Sequence, residues 1–351
     1  MLTKLSFYLT LILIRLNLLK GRFTTAKKTI DNKKINVSKV KRIHFLVPEG
    51  QNEPGAKIIV YDVYPELTKL VKKLKLPWVI SVSHKEPAYK IDLLICFKCL
   101  PKEQIQKKRK TVLLICDQAE VFWRAIKLFD YVVASSSEAF ASLVSQKNSN
   151  TFFISESETI ENIEIGKKNL KTLPSIREPT ILWHGGKYSM DALIRLKPLL
   201  EIFAKKNKLK LVIISGKEQE VSYSWGEIEV QQIPWSNKVL ISQVSKARLG
   251  IIPAKKSLRM SYLKPASRVR LFYALGTPAI GDGRVPDVKK FMGSFRGPIA
   301  KKDAEWLYLL EKLWSSKELD RIATKGWKSV SQRYSSQQTA NQWLNFLLEV
   351  S

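Results

Sequence analysis

Residues 264–280 read Lys264-Pro-Ala-Ser-Arg-Val-Arg-Leu-Phe-Tyr-Ala-Leu-Gly-Thr-Pro-Ala-Ile280. Ser267 is a residue type that caps helix N-termini, Gly276 one that ends helices, and Pro278 cannot continue one. The spacing predicts a helix beginning at Ser267 and ending at Gly276, followed by a strand over 277–281. Arg268 and Arg270 then fall in the first helical turn, where a cation opposes the helix dipole unless an anion sits against it. A bound phosphate is expected there. The surrounding residues 232–302 hold 15 basic and two acidic residues, Asp282 and Asp287. On charge alone, a solvated basic face is the competing reading.

A second phosphate-binding pattern lies upstream, in Trp183-His-Gly-Gly-Lys-Tyr-Ser189. Here a strand over 180–183 runs into a glycine turn and a long helix is expected over 189–206. Gly185 and Gly186 let the backbone approach a ligand closely, the helix start offers unpaired N–H groups, and Lys187 adds a charge.

The same alternation extends outward in both directions. In the second half, strands are expected at 209–215, 227–233 and 250–253, and helices at 238–246, 302–314 and 336–350. In the first half, strands are expected at 42–47, 78–82, 92–97, 111–116, 131–134 and 151–154, with helices at 117–126 and 138–146. The stretch 56–74 has helical spacing, but Pro65 must start, kink or break the helix. Short buried-type strands alternating with helices point to parallel sheets. The fold class is α/β, with two Rossmann-like domains in tandem; no G-x-G-x-x-G follows the first strand, so a dinucleotide fingerprint is absent. The expected divisions are an apolar and basic extension over 1–41, a first domain over 42–172, a second over 173–330, and a final helix over 331–351.

Composition bounds the function. The 351 residues are 45% hydrophobic and 26% charged, which excludes a disordered tail, a collagen and a coiled-coil rod. Sixty Lys and Arg against 31 Asp and Glu give a net charge of +29, which implies a polyanionic neighbour. Three cysteines cannot form a disulfide framework. Cys96 and Cys99 make a lone C-x-x-C whose first member sits in the apolar run 92–97, so buried strand cysteines are expected rather than a zinc site. His44, His84 and His184 lie far apart, and no metal or cofactor site is read. His44 is expected in the core; His184, beside the glycines, could reach a ligand or be structural.

Residues 5–19 are mostly apolar but interrupted by Arg15, too short a run to span a bilayer. Residues 1–42 carry eleven basic residues and one acidic, Asp31. An apolar helix followed by a basic segment suits a peripheral anchor on an anionic leaflet, with the body on the cytoplasmic face. A helix packed on the protein's own surface is the alternative.

The order of these features resembles the GT-B glycosyltransferases. Residues 180–186 with the following helix and Leu211–Gly216 look like the start of that family's donor-binding domain. Ile233-Pro-Trp, Ala247-Arg-Leu-Gly-Ile-Ile-Pro and residues 267–280 then follow in the family's order. Ala274-Leu-Gly-Thr-Pro-Ala-Ile is similar to the A-x-G-x-P-V-V that closes the donor loop. The resemblance implies two domains facing across a cleft, a final helix that crosses back to the first, and a nucleotide-diphosphate sugar as donor. It puts Gly185, Gly186 and Lys187 at the donor's phosphates, matches Arg268 to the family's basic residue with Ser267 offering its hydroxyl and N–H, adds Lys264 to the donor-binding residues, and puts Pro234 and Trp235 at the nucleobase. Fixed cations and N–H groups would stabilise the leaving diphosphate without a metal. Many relatives carry glutamates where this chain has Leu263 and Leu271, so the usual ribose carboxylate is missing.

On the acceptor side, Asp117 follows the strand 111–116 at its carboxyl edge, where open α/β sheets place functional groups. It is the candidate base, with an N-cap as the alternative; Glu49 and Gly50, in the loop after the first strand, are candidate acceptor contacts. The implied partners are a nucleotide-sugar donor, a glycan or lipid-linked acceptor and an anionic membrane surface. No recognition helix, RRM-type motif or zinc finger supports a nucleic-acid partner. The two leucines keep a catalytically inactive scaffold as a second function.

Overall fold

The computed structural model describes residues 2–15, 23–25, 39–50, 53–100, 109–117, 119–216, 219–255 and 261–350. The chain divides into two units, Met1–Ser157 with Ser336–Ser351, and Glu158–Ser335.

The first unit is built on seven parallel strands: β1 (Thr24–Thr25), β2 (Lys41–Leu46), β3 (Trp78–Ser83), β4 (Leu93–Phe97), β5 (Lys110–Ile115), β6 (Tyr131–Ala134) and β7 (Thr151–Phe153). Their order is β1-β7-β6-β5-β4-β2-β3. Every residue of β4 is buried, as expected of a parallel strand covered on both faces. One face is covered by the helices Tyr64–Lys73 and Ser336–Val350. Pro65 falls in the first turn of the former, where its missing N–H costs nothing, so it starts the helix. In the latter, Trp343 stands edge-on to Phe45 at 5.2 Å, and Phe346 to Phe152 at 4.9 Å. This apolar stripe is why the C-terminal helix belongs to the first unit.

The N-terminal helix Leu2–Arg15 also packs here. Phe7 and Leu11 are buried, with Phe7 edge-on to Trp123 at 5.2 Å, while Leu9 and Ile12 face outward. Part of its apolar surface is therefore used within its own unit. β1 pairs with β7, so the basic extension contributes a strand that its composition hid. No helix among the described residues is long and apolar enough to cross a membrane.

The second unit has β8 (Thr180–His184), β9 (Lys210–Ser215), β10 (Val221–Trp225), β11 (Ile228–Pro234), β12 (Leu249–Ile252), β13 (Ala279–Asp282) and β14 (Ile299–Ala300), in the order β10-β11-β9-β8-β12-β13-β14. Only the β10–β11 pair is antiparallel. Strand order reverses between β8 and β12, which makes that crevice the topological switch point.

Two boundaries differ from expectation. The units meet at Ser157 and Glu158 rather than at 172 and 173, because the helix Ile160–Asn169 packs into the second unit. Gly166 permits this: a Cβ there would lie 1.9 Å from the Ala274 carbonyl oxygen. Arg177 fixes the same segment by donating to the carbonyls of Asn169, Thr172, Ala247 and Gly276. At the far end the helix Lys317–Arg333 stays in the second unit, so the return falls at Ser335 and Ser336 rather than at 330 and 331. The helix expected over 189–206 is instead a 3₁₀ turn, Lys187–Ser189, and two short helices, Met190–Ile194 and Lys197–Ala204. Pro198 sits in the first turn of the second and has no N–H to continue the first.

Candidate functional site

The site begins where β8 ends. Trp183 is fully buried, and the Gly185 N–H continues the ladder to the Ile214 carbonyl at 3.1 Å. Gly185 is a glycine for a spatial reason: a Cβ there would lie 2.8 Å from Trp183 Cζ2 and 2.9 Å from Arg268 Nη1. Gly186 has nothing within 4 Å of its missing Cβ, and Lys187 beside it is exposed. The break at Leu196 means that no long helix points its N-terminus at this turn.

The helix carrying Arg268 runs Ser267–Ala274 and ends, as expected, before Gly276, whose φ of 73° is left-handed. Its start differs from expectation. Ala266 occupies the cap position and Ser267 is the first helical residue, with no side-chain capping bond. The cap function is served from outside, by Asp287 Oδ2 accepting from the Ala266 N–H at 2.7 Å.

The two arginines, two positions apart, point to different sides of the helix. Arg270 is 2% exposed, lies 3.5 Å from Asp287 and stacks its guanidinium over Tyr334 at 4.7 Å. Its charge is therefore answered within the protein, contrary to the expectation that both arginines await a phosphate. Arg268 turns to Gly185 and donates from Nη1 to the His184 carbonyl at 3.2 Å. No carboxylate among the described residues is in ion-pair distance of it, and burial lowers its pKa to about 10. His184 is 6% exposed, and its pKa falls to about 3 through burial and then the Arg268 charge. The imidazole is thus neutral and packs 5.6 Å from Phe272.

Other predicted donor residues lie along the same carboxyl edge without touching this pair. Pro234 ends β11, and the main-chain N–H of Trp235, whose side chain is exposed, donates to the Ser215 carbonyl at 2.9 Å, tying the end of β11 to that of β9. Lys264 is exposed just before the Arg268 helix. Leu263 is buried and Leu271 packs against the core, so neither position supplies a polar group.

The acceptor candidates sit on the first unit's sheet. Glu49 is exposed, and Gly50 closes a turn with its N–H on the Val47 carbonyl at 3.0 Å; its φ of 63° requires glycine. Asp117 follows β5 and pairs through Oδ1 with Lys98 Nζ at 2.7 Å. Lys98 also reaches Glu53 at 2.8 Å. Sequence reasoning missed Lys98 and Glu53. The signal for Lys98 was the one used for Asp117, a polar residue directly after an apolar strand. His44 is a core residue bonded to Ser81 at 2.8 Å and Ser83 at 3.2 Å. No group of His, Cys, Asp and Glu among the described residues could hold a metal ion.

No family model matches this chain, and no curated protein matches its sequence. Solved structures do match in three dimensions. A glycosyltransferase from Rickettsia africae is 11% identical, with 88% of this chain and 98% of that one covered at a TM-score of 0.63. HepE of Anabaena, solved with UDP and glucose, is 12% identical, with 89% and 100% covered at 0.59. An alpha-glucosyltransferase solved with UDP and DNA is 12% identical, with 87% and 98% covered at 0.60. At such identities the likeness is one of fold, and the fold is GT-B.

Proposed function

We propose that this protein transfers a sugar from a nucleotide-diphosphate sugar to a hydroxyl of a glycan or lipid-linked acceptor at a membrane surface. The observation that carries the reading is Arg268, a cation placed at the switch point, against Gly185, with no carboxylate partner among the described residues. Buried charges are normally paired, and an anionic ligand is the partner this edge is suited to. Relatives in fold bind UDP and UDP-glucose. Arg268, Lys187 and the glycine-loop N–H groups would balance the charge that grows on the diphosphate as the glycosidic bond breaks. Turnover is then expected to survive EDTA.

Trp235 is exposed where a nucleobase could stack on it, and the acceptor is assigned to Glu49, Gly50 and Asp117. Membrane attachment draws on outward-facing Leu9 and Ile12 together with the basic residues 1–42. Such attachment is peripheral, on the cytoplasmic leaflet, and co-sedimentation with anionic but not neutral vesicles tests it.

The direct experiment is thermal shift against UDP, GDP, ADP and CMP with their sugars. A ligand at a hundredfold over its Kd that binds only the folded state adds about 2.7 kcal/mol. Selective stabilisation by one nucleotide, lost in Arg268→Ala, is expected; no shift with any of them sinks the reading. Buried Leu263 and core-packed Leu271 favour one second reading, a GT-B scaffold that binds nucleotide and does not turn it over.

A further inference from the structure

The cluster at the carboxyl edge of the first unit's sheet carries an inference that rests on the transferase reading. Lys98 directly follows β4 and has a φ of 48°, a left-handed conformation that a non-glycine residue adopts at a cost. Its side chain is only 12% exposed, and burying an ammonium carries a second cost. Both are borne at one residue, and its Nζ lies between two carboxylates, Glu53 Oε1 at 2.8 Å and Asp117 Oδ1 at 2.7 Å.

The arrangement has a direction. Glu53 is fixed at its inner end, where Oε2 accepts the Ala56 N–H and a Cβ on Gly55 would approach it to 2.9 Å and Cys116 Sγ to 3.2 Å. Exposure then rises outward, from 16% at the Glu53 side chain to 39% at Asp117. Lys98 and Cys116 both reach Oδ1 of Asp117, and Oδ2 has no partner among the described residues. Burial works to lower the Lys98 pKa, and the hydrogen bonds and charges of the Asp117 and Glu53 carboxylates work against it, so the ammonium stays charged. Burial pushes the Cys116 thiol up, with Asp117, Glu156 and Glu53 adding to it against Lys98, so the neighbouring sulfur stays a neutral thiol.

We infer that Lys98, anchored by Glu53, is a positioning residue that holds Asp117 so that its free Oδ2 receives the proton of the acceptor hydroxyl. In that step the acceptor oxygen bonds to the sugar C1 and its proton passes to Asp117 Oδ2. The bond from C1 to the diphosphate oxygen breaks, and its electron pair leaves with the diphosphate.

The test measures UDP release from UDP-glucose with water as acceptor, alongside the thermal shift with UDP. Where another nucleotide is the one that stabilises, its own nucleotide sugars are used. Lys98→Met and Asp117→Asn are expected to lower kcat by about a hundredfold, within the usual range for positioned proton transfer. KM for the sugar nucleotide and the nucleotide thermal shift stay within twofold of wild type. Lys98→Arg restores most of kcat, which a packing role would not give. A Lys98→Met kcat within threefold of wild type overturns the inference, as does a parallel rise in KM. So does wild-type protein that is stabilised by a nucleotide yet turns over none of its sugars. Absence of any nucleotide shift is the separate failure, that of the transferase reading itself.

Discussion

Two sheets in one chain, one parallel and one parallel but for its β10–β11 pair, carry cations at their carboxyl edges and treat them oppositely. In the first unit, Lys98 is enclosed by Glu53 and Asp117, so two negative charges surround one positive. In the second, Arg268 meets a main-chain carbonyl and a glycine with no carboxylate among the described residues in ion-pair distance, and the neighbouring His184 is held neutral. In the functions proposed above, the first edge takes a proton and the second an anion. A charge's partners, more than its identity, decide what an edge of a common fold can bind.

The comparison within the second unit is sharper still, because Arg268 and Arg270 are two residues apart. Asp287→Ala would leave Arg270 buried without its anion and the Ala266 N–H without its acceptor. It should destabilise the fold by about 3–5 kcal/mol, the usual cost of breaking a buried pair, as measured by urea unfolding. Arg268→Ala should change the stability of the free protein by less than about 1 kcal/mol, yet weaken nucleotide binding by about 2–4 kcal/mol in calorimetry. Equal destabilisation by the two would erase the distinction between a paired and a ligand-seeking arginine.

The neutral histidine gives a pH test. Its folded-state pKa of about 3 lies below the ordinary value of 6.5. Below pH 6.5 the unfolded chain therefore takes up a proton that the folded chain does not. Stability then falls with pH by about 1.4 kcal/mol per unit, or about 2 kcal/mol by pH 5. Urea unfolding at pH 7 and pH 5 should show this loss in wild type and a smaller loss in His184→Phe, which keeps the ring on Phe272. His44, also lowered by burial, contributes in the same direction in both proteins.

The smallest effect separates the two glycines. Gly185→Ala brings a methyl group against Arg268 and Trp183, and should weaken binding of the stabilising nucleotide about tenfold, near 1.4 kcal/mol. Gly186→Ala meets nothing within 4 Å and should bind within twofold of wild type. Equal titrations would mean that the close approach of Arg268 to the loop does not matter for the ligand.

Much of this was written in local patterns. Runs such as Leu93–Phe97 and 181–183, apolar throughout and followed by polar residues, define buried parallel strands and mark their carboxyl edges without reference to distant sequence. Gly276 and Pro278 marked the end of the Arg268 helix, and the order of motifs pointed to GT-B. Composition hid β1 in a basic tract, and the helical spacing over 189–206 masked the break at Leu196 that Pro198 makes.

What sequence could not decide was pairing. Asp287 lies 17 residues beyond Arg270, and Glu53 and Lys98 are 45 apart, so no periodicity links them. The amphipathic stripe of Ser336–Val350 identified a helix and the GT-B resemblance implied its return to the first unit; packing on Phe45 and Phe152 is what holds it there. Local chemistry determined which residues were cations, turns and strands. The tertiary structure decided which cations were answered, because the energy of a buried charge depends on what lies within a few ångströms, whatever its distance along the chain.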